Sequence, residues 1–189
     1  MNVKGLFFAE EGFRHFFSAK PIYSPEDFKG YNVRGTNDKP MQALLAELGA
    51  NSVYVTYIDL YSYLQIGKVD IADQPIANYL TNHFNEVAPY MILDGHTLGI
   101  TETIISMKVW KSLSENRKNI LMKAGKYAQG YCQELLLSEE EKIRAELEKQ
   151  GATVSDADVK LWQKAAANVI KEASDSNPEL YKAILSFAE

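Results

Sequence analysis

The sequence predicts an α/β fold, a doubly wound and mostly parallel sheet flanked by helices. Two observations carry that prediction. Short apolar runs such as Ser52–Thr56 and Val69–Ala72 alternate with helical patterns along the chain. The connections between them are short, as in strand–helix–strand units that cover both faces of a parallel sheet. With 189 residues, 46% of them apolar, the chain can bury one good core or somewhat more.

Taken in order, Val3–Ala9 reads as a buried strand, Glu10-Glu11-Gly12 breaks it, and Arg14–Ala19 is a second strand. Ser24 can accept from the backbone N–H groups of the next turn, with Pro25 at the first helical position. After a break at Gly30, Tyr31–Arg34 is a strand too short to bury Arg34 within its own element. It delivers Arg34 to the loop Gly35-Thr36-Asn37-Asp38, at a strand end where α/β scaffolds hold binding groups. A helix over Met41–Leu48 has Met41, Leu44, Leu45 and Leu48 on one face and Gly49 at the left-handed position past its end. Ser52–Thr56 is a strand, Asp59 caps a helix through Gln65, Val69–Ala72 is the next strand, and Pro75 opens a helix through His83. Met91–Met107 is largely extended and broken at Gly95 and Gly99, which suits a chain bending between two bodies.

Two helices follow in this reading. Ser114 caps the first, whose stripe is Ile120, Leu121, Ala124, Tyr127, Ala128, Tyr131 and Leu135. The second, Ser138–Gln150, opens on a Ser138/Glu141 capping box, and its charge run is a solvated face. Gly151 stops it, Ala152–Val154 forms a strand, Asp156 starts a long helix toward Ala173, and Pro178 opens a last short one.

Composition narrows the function. A net charge of −5 without a basic run argues against nucleic acid, and no apolar run approaches the length of a membrane span. Cys132 is the only cysteine, so there is no internal disulfide, and it reads as a packing residue. Three scattered histidines do not make a zinc site, and neither a nucleophile elbow nor a phosphate loop is present. No cofactor, no metal and no enzymatic chemistry are expected.

Arg34 is the leading candidate for binding. A guanidinium offers a planar fork that matches a carboxylate with two parallel hydrogen bonds. On spacing alone, an anion-binding role and an ion pair with Asp38 or Glu47 stand equal. Arg14 stands twenty residues earlier, in Gly12-Phe13-Arg14, where an exposed strand arginine is the plain reading. Two arginines in one cleft repel each other, and an anion would relieve that cost.

Three linked motifs then point to a family. Ser24–Arg34 (S-P-E-D-F-K-G-Y-N-V-R), Tyr57–Gly67 and Val69–Pro75 (V-D-I-A-D-Q-P) stand in this order. Together they resemble the solute-binding proteins of tripartite ATP-independent periplasmic (TRAP) transporters, of the dicarboxylate-binding (DctP) type. The family pattern S-P-x-D-L-K-G-x-K-[IM]-R ends in an arginine that pairs with the ligand carboxylate, here Arg34. By the same resemblance Arg14, in a G-x-R, supplies a second cation, and Gln74 and Asn37 supply polar contacts. Tyr57 lies against the ligand's carbon skeleton, His96 matches a recurrent histidine, and Asp73 orients Arg34 or a neighbour. The sequence departs from the pattern at Gly35-Thr36 after the arginine, at Ile71 for glycine and at Gln74 for Asn or Thr.

The resemblance implies a periplasmic-binding-protein-like lobe with crossing hinge segments, corresponding to the C-terminal portion of such a protein, with the N-terminal lobe largely missing. Residues 1–11 would be a crossing strand, 12–99 the ligand-binding lobe, 100–137 a segment returning to the other lobe, and 138–189 helices completing lobe and hinge. The implied function is extracytoplasmic, periplasmic binding of a small organic acid and its delivery to the TRAP membrane permease. The start of the chain carries no signal peptide, which reads as a fragment. A sensor of the same fold, or less readily an enzyme, stays open. Without a partner lobe, the stripe on the helix after Ser114 is expected to drive homo-dimerisation or segment exchange.

Overall fold

In a computed structural model that describes residues 2–187, six strands form one sheet in the order β3-β2-β4-β1-β5-β6. The strands are β1 (Val3–Ser18), β2 (Asn32–Gly35), β3 (Asn51–Tyr54), β4 (Ile71–Pro75), β5 (Tyr90–Ser106) and β6 (Thr153–Asp156). The helices are α1 (Lys39–Glu47), α2 (Leu60–Gln65), α3 (Ile76–Thr81), α4 (Met107–Ser112), α5 (Glu115–Lys149), α6 (Val159–Ala165), α7 (Ala167–Ser176) and α8 (Pro178–Leu185). Parallel pairing joins β2 to β3, β2 to β4 and β5 to β6, while β1 runs antiparallel to both β4 and β5. The sheet is therefore mixed, with parallel pairs in the majority.

Alternation along the central strands divides the core into two. Phe17, Ala72 and Met91 enter one apolar cluster with Leu60, Tyr79 and Leu147, while their neighbours Phe16, Ile71 and Ile92 enter another with Phe28, Leu45 and Trp162. Side chains one residue apart on a strand point to opposite faces, so both faces of this sheet are covered.

Most local expectations hold. Ser24 opens a 3-10 turn over Pro25–Phe28 with a reciprocal Ser24/Asp27 cap. Asp38 caps α1, its carboxylate accepting from the Met41 N–H. Four expectations are corrected. Glu10-Glu11-Gly12 does not divide β1, because Val3–Ser18 stays paired to β5 and absorbs the irregularity as a bulge. Likewise Gly95 and Gly99 bend β5 without ending it; Gly12 (φ +89°) and Gly95 (φ +59°) adopt the left-handed backbone such bulges need. Residues 115–149 form one helix, and the Ser138 hydroxyl bonds back to the Leu135 carbonyl rather than capping a new start. In that continuous helix the Glu141 position has no free N-terminus to serve. Asp156 ends β6 and does not start a helix; Asp158 caps α6, and the long helix toward Ala173 is divided between α6 and α7 at Ala166.

The ribbon of β1 and β5 runs well beyond the core. Against its outer half packs α5, whose Gly125 comes so close that an added Cβ would stand 3.0 Å from the Phe7 ring. Among the described residues, no helix is long and apolar enough to cross a membrane.

Candidate functional site

The parallel strands β2, β3 and β4 end at the same edge of the sheet, the place where open α/β sheets hold ligands. β1 runs the other way, so its Arg14, paired in register with Pro75, reaches the same edge. There a cleft of roughly 530 Å³ is lined by Arg34 on β2, Thr36 just past it, Tyr57 past β3, Asp73 and Gln74 on β4, and Arg14 on β1. Asn78 from α3, Thr97 from β5, Met41 from α1, Glu11 from β1 and Asp38 complete its wall.

Its electrostatics centre on Asp73. The Arg14 Nε–H donates to the Asp73 carboxylate and its Nη2–H to the Asp73 carbonyl at 2.8 Å. Arg34 Nη1 stands 3.9 Å from the other carboxylate oxygen, and its Nε–H donates to the Val55 carbonyl at 3.3 Å. The Arg34 side chain is only 10% exposed, although its own strand is too short to bury it. Neighbouring strands bury it. The ion pair with Asp38 or Glu47 is corrected, since its acidic neighbour comes from β4. Burial pushes the Arg34 pKa down, opposed by Asp73 and reinforced by Arg14.

Behind Asp73 the row of charges continues. His96 Nδ1–H donates to Asp94 at 2.6 Å, while its Nε2 stands 3.5 Å from Asp73, an ion-pair separation rather than a hydrogen bond. Burial works against a charged His96, but the two carboxylates outweigh it and raise its pKa to about 9. The imidazole also stacks on Phe16 with centroids 4.1 Å apart. Burial alone would raise the Asp73 pKa; the His96 and Arg14 partners prevail and hold its carboxyl well below the usual range. His15 goes the other way. Burial lowers its pKa to about 4, and its Nδ1 accepts from the Gly95 N–H, which requires the neutral ring.

Of the residues singled out from the sequence, Arg14, Arg34, Gln74 and Tyr57 meet in one cleft. Asn37 is exposed, and its neighbours Thr36 and Asp38 line the wall instead. His96 sits one layer back, behind Asp73. Sequence reasoning missed Glu11, Asn78, Thr97 and the role of Asp94. The spacing Asp94-x-His96 would set both on one face of a regular strand, which was the available signal.

Comparison with known proteins points in one direction. The family described as DctP, bacterial extracellular solute-binding protein family 7, matches residues 1–177. A solute-binding protein of Roseobacter denitrificans is 30% identical over 89% of this chain and 52% of its own length. The C4-dicarboxylate-binding periplasmic protein DctP of Rhodobacter capsulatus is 27% identical over 80% of this chain and 46% of its own. A crystal structure of a TRAP periplasmic solute-binding protein from Xanthobacter autotrophicus Py2, with bound β-D-galacturonate, superposes with a TM-score of 0.82. It is 27% identical and matches 90% of this chain and 57% of that one. The chain thus spans about half the length of the curated relatives it matches.

Proposed function

The chain belongs to bacterial extracellular solute-binding protein family 7, and from that premise we propose that it forms the acid-gripping half of a periplasmic TRAP solute-binding protein. In this reading a small organic acid lays its carboxylate against Arg34, whose terminal nitrogens offer a two-hydrogen-bond fork. The observation that carries it is a largely buried guanidinium at the cleft with no hydrogen bond from either terminal nitrogen among the described residues. Arg14 lies beside it as a second cation, Gln74 meets ligand oxygens and Tyr57 covers the carbon skeleton. Asn37 belongs to the rim, and His96 supports the floor through Asp73.

Residues 12–99 and 138–189 would make this lobe, and 1–11 and 100–137 the segments that cross to a second one. Closure follows when one ligand satisfies groups on both lobes together. The loaded protein would then hand its ligand to the membrane permease, without catalysing a reaction. Relatives bind acids of more than one kind: the Xanthobacter protein holds galacturonate, and the Rhodobacter protein is named for C4-dicarboxylates. Both kinds share the carboxylate that Arg34 would receive.

Calorimetric titration with a panel of sugar acids and dicarboxylates tests the reading. Arg34→Ala is expected to weaken binding by about 30-fold or more, since it removes one partner of a largely buried charge pair. Unchanged binding in a folded Arg34→Ala variant would overturn it.

A further inference from the structure

The long helix α5 runs unbroken past the irregularity that turns β1 at Glu10–Gly12. Between the two, with the first turn of α3 as a third wall, lies a second cavity of roughly 350 Å³. That size falls in the range of small-molecule sites. Its body is apolar: Phe13 from β1, Ile76 from α3, and Leu135, Leu136 and Ile143 from α5. Leu136 reaches over the bulge, its Cδ2 standing 3.8 Å from where a Cβ on Gly12 would lie. Phe13 is 55% exposed and Leu135 44%, so the lining leaves apolar surface facing water.

Four glutamates share this lining, Glu10, Glu11, Glu139 and Glu140, and among the described residues no lysine, arginine or histidine does. Glu139 is balanced by Lys142, whose ammonium lies 2.7 Å away, while the other three form no ion pair among the described residues. Glu11 borders both this cavity and the acid cleft, but Arg14 and Arg34 line only the cleft. An anion entering the cavity meets like charge, and a neutral apolar molecule leaves the glutamates unanswered. A molecule that joins an apolar body to a positive end satisfies both parts of the lining.

Independently of how the acid cleft is used, we propose that the cavity between the β1 bulge and α5 is a second ligand site, for a small amphiphilic cation. The apolar body packs against Phe13, Ile76 and Leu136, and the positive end faces Glu10, Glu11 and Glu140. A ligand there touches β1, α3 and α5 at once, and so ties the helix to the ribbon where the ribbon turns.

Cys132, the only cysteine, lines the cavity and reports its occupancy. The 189-residue chain is alkylated with iodoacetamide and followed by mass spectrometry, with octyltrimethylammonium, butyltrimethylammonium or octanoate present below micellar concentrations. Octyltrimethylammonium is expected to slow alkylation at millimolar concentrations, and octanoate to bind at least about 10-fold more weakly. Shortening octyl to butyl should cost about 30-fold or more, since the removed methylenes lose their burial. The variant Glu10→Gln/Glu11→Gln/Glu140→Gln, checked for an unchanged melting temperature, should bind the octyl cation about 5-fold more weakly while the octyl–butyl gap persists. Alkylation unslowed by the octyl cation, or slowed equally by octanoate, would overturn the site, as would a cation affinity untouched by the triple variant. Protection of Cys132 that grows with protein concentration when no probe is present would show a contact between copies instead, and would overturn it too.

Discussion

The inner and outer halves of the β1–β5 ribbon are one continuous pair of strands in two different environments. Inside the lobe, Phe16, Phe17, Met91 and Ile92 are fully buried, one face against each core. Beyond Arg14 and Thr97, Phe8 and Phe13 are each 55% exposed and Ile100 is 58% exposed, although the strands stay hydrogen-bonded. The helix α5 repeats the contrast: Leu147 is buried in the lobe, while Tyr127 at the outer end is 76% exposed. Backbone pairing alone therefore does not make a core; layers on both faces do. The candidate site lies where one environment passes into the other, since Arg14, Asp94 and His96 stand beside the bulges that turn the ribbon. Bulges are a common way to re-aim a side chain next to a site.

The largest test of that contrast removes one aromatic ring from each half. Phe17 packs between Tyr79 and Phe84 at centroid distances of 4.8 and 5.4 Å. Phe17→Ala is expected to destabilise the lobe by about 3–5 kcal/mol in urea unfolding. Phe8→Ala, on the outer ribbon, should change stability by less than about 1 kcal/mol. Equal losses would erase the distinction between the halves.

The next effect is smaller and depends on pH. His96, raised from 6.5 to about 9, contributes stability that is full below pH 6.5 and is lost as the pH rises through about 9. His15, lowered from 6.5 to about 4, contributes stability that is present above pH 6.5 and is lost as the pH falls toward 4. Thermal melts between pH 4 and 10 are expected to decline at both ends, and His96→Gln should flatten the alkaline limb. NMR titration of the imidazole protons should find these two histidines on opposite sides of the ordinary value.

The outer half also makes a prediction about association. Ile120, Tyr127, Tyr131 and Leu135 are exposed along α5, and a contiguous apolar surface of that kind seeks a partner. Light scattering of the 189-residue chain is expected to report a mass above the monomer, reduced by Tyr127→Lys/Tyr131→Lys. A monomer at all concentrations would show that the stripe is tolerated in water. The smallest expected effect is at Ser138, inside the uninterrupted α5. Ser138→Ala should change the unfolding free energy by no more than about 0.5 kcal/mol, whereas a true helix start would lose about 1 kcal/mol.

Much of this was legible in the sequence because it is governed by local chemistry. Alternating apolar runs marked the inner strands, Ser24 marked the turn that it opens, and Arg34 at a strand end marked the edge where the cleft lies. Where local signals competed, the longer-range structure won. The Ser138 box lost to a helix already propagating through it, since extending a helix is easier than nucleating a new one. Glu10-Glu11-Gly12 lost to the hydrogen bonds of β5, which hold β1 together across the irregularity. Only the tertiary structure could decide the acid beside Arg34 and the proton state of His96. Asp73 is 39 residues from Arg34 along the chain and 59 from Arg14, and Asp94 is brought beside Phe16 from 78 residues away. Charges interact through distance in space and the water excluded between them, and sequence separation measures neither.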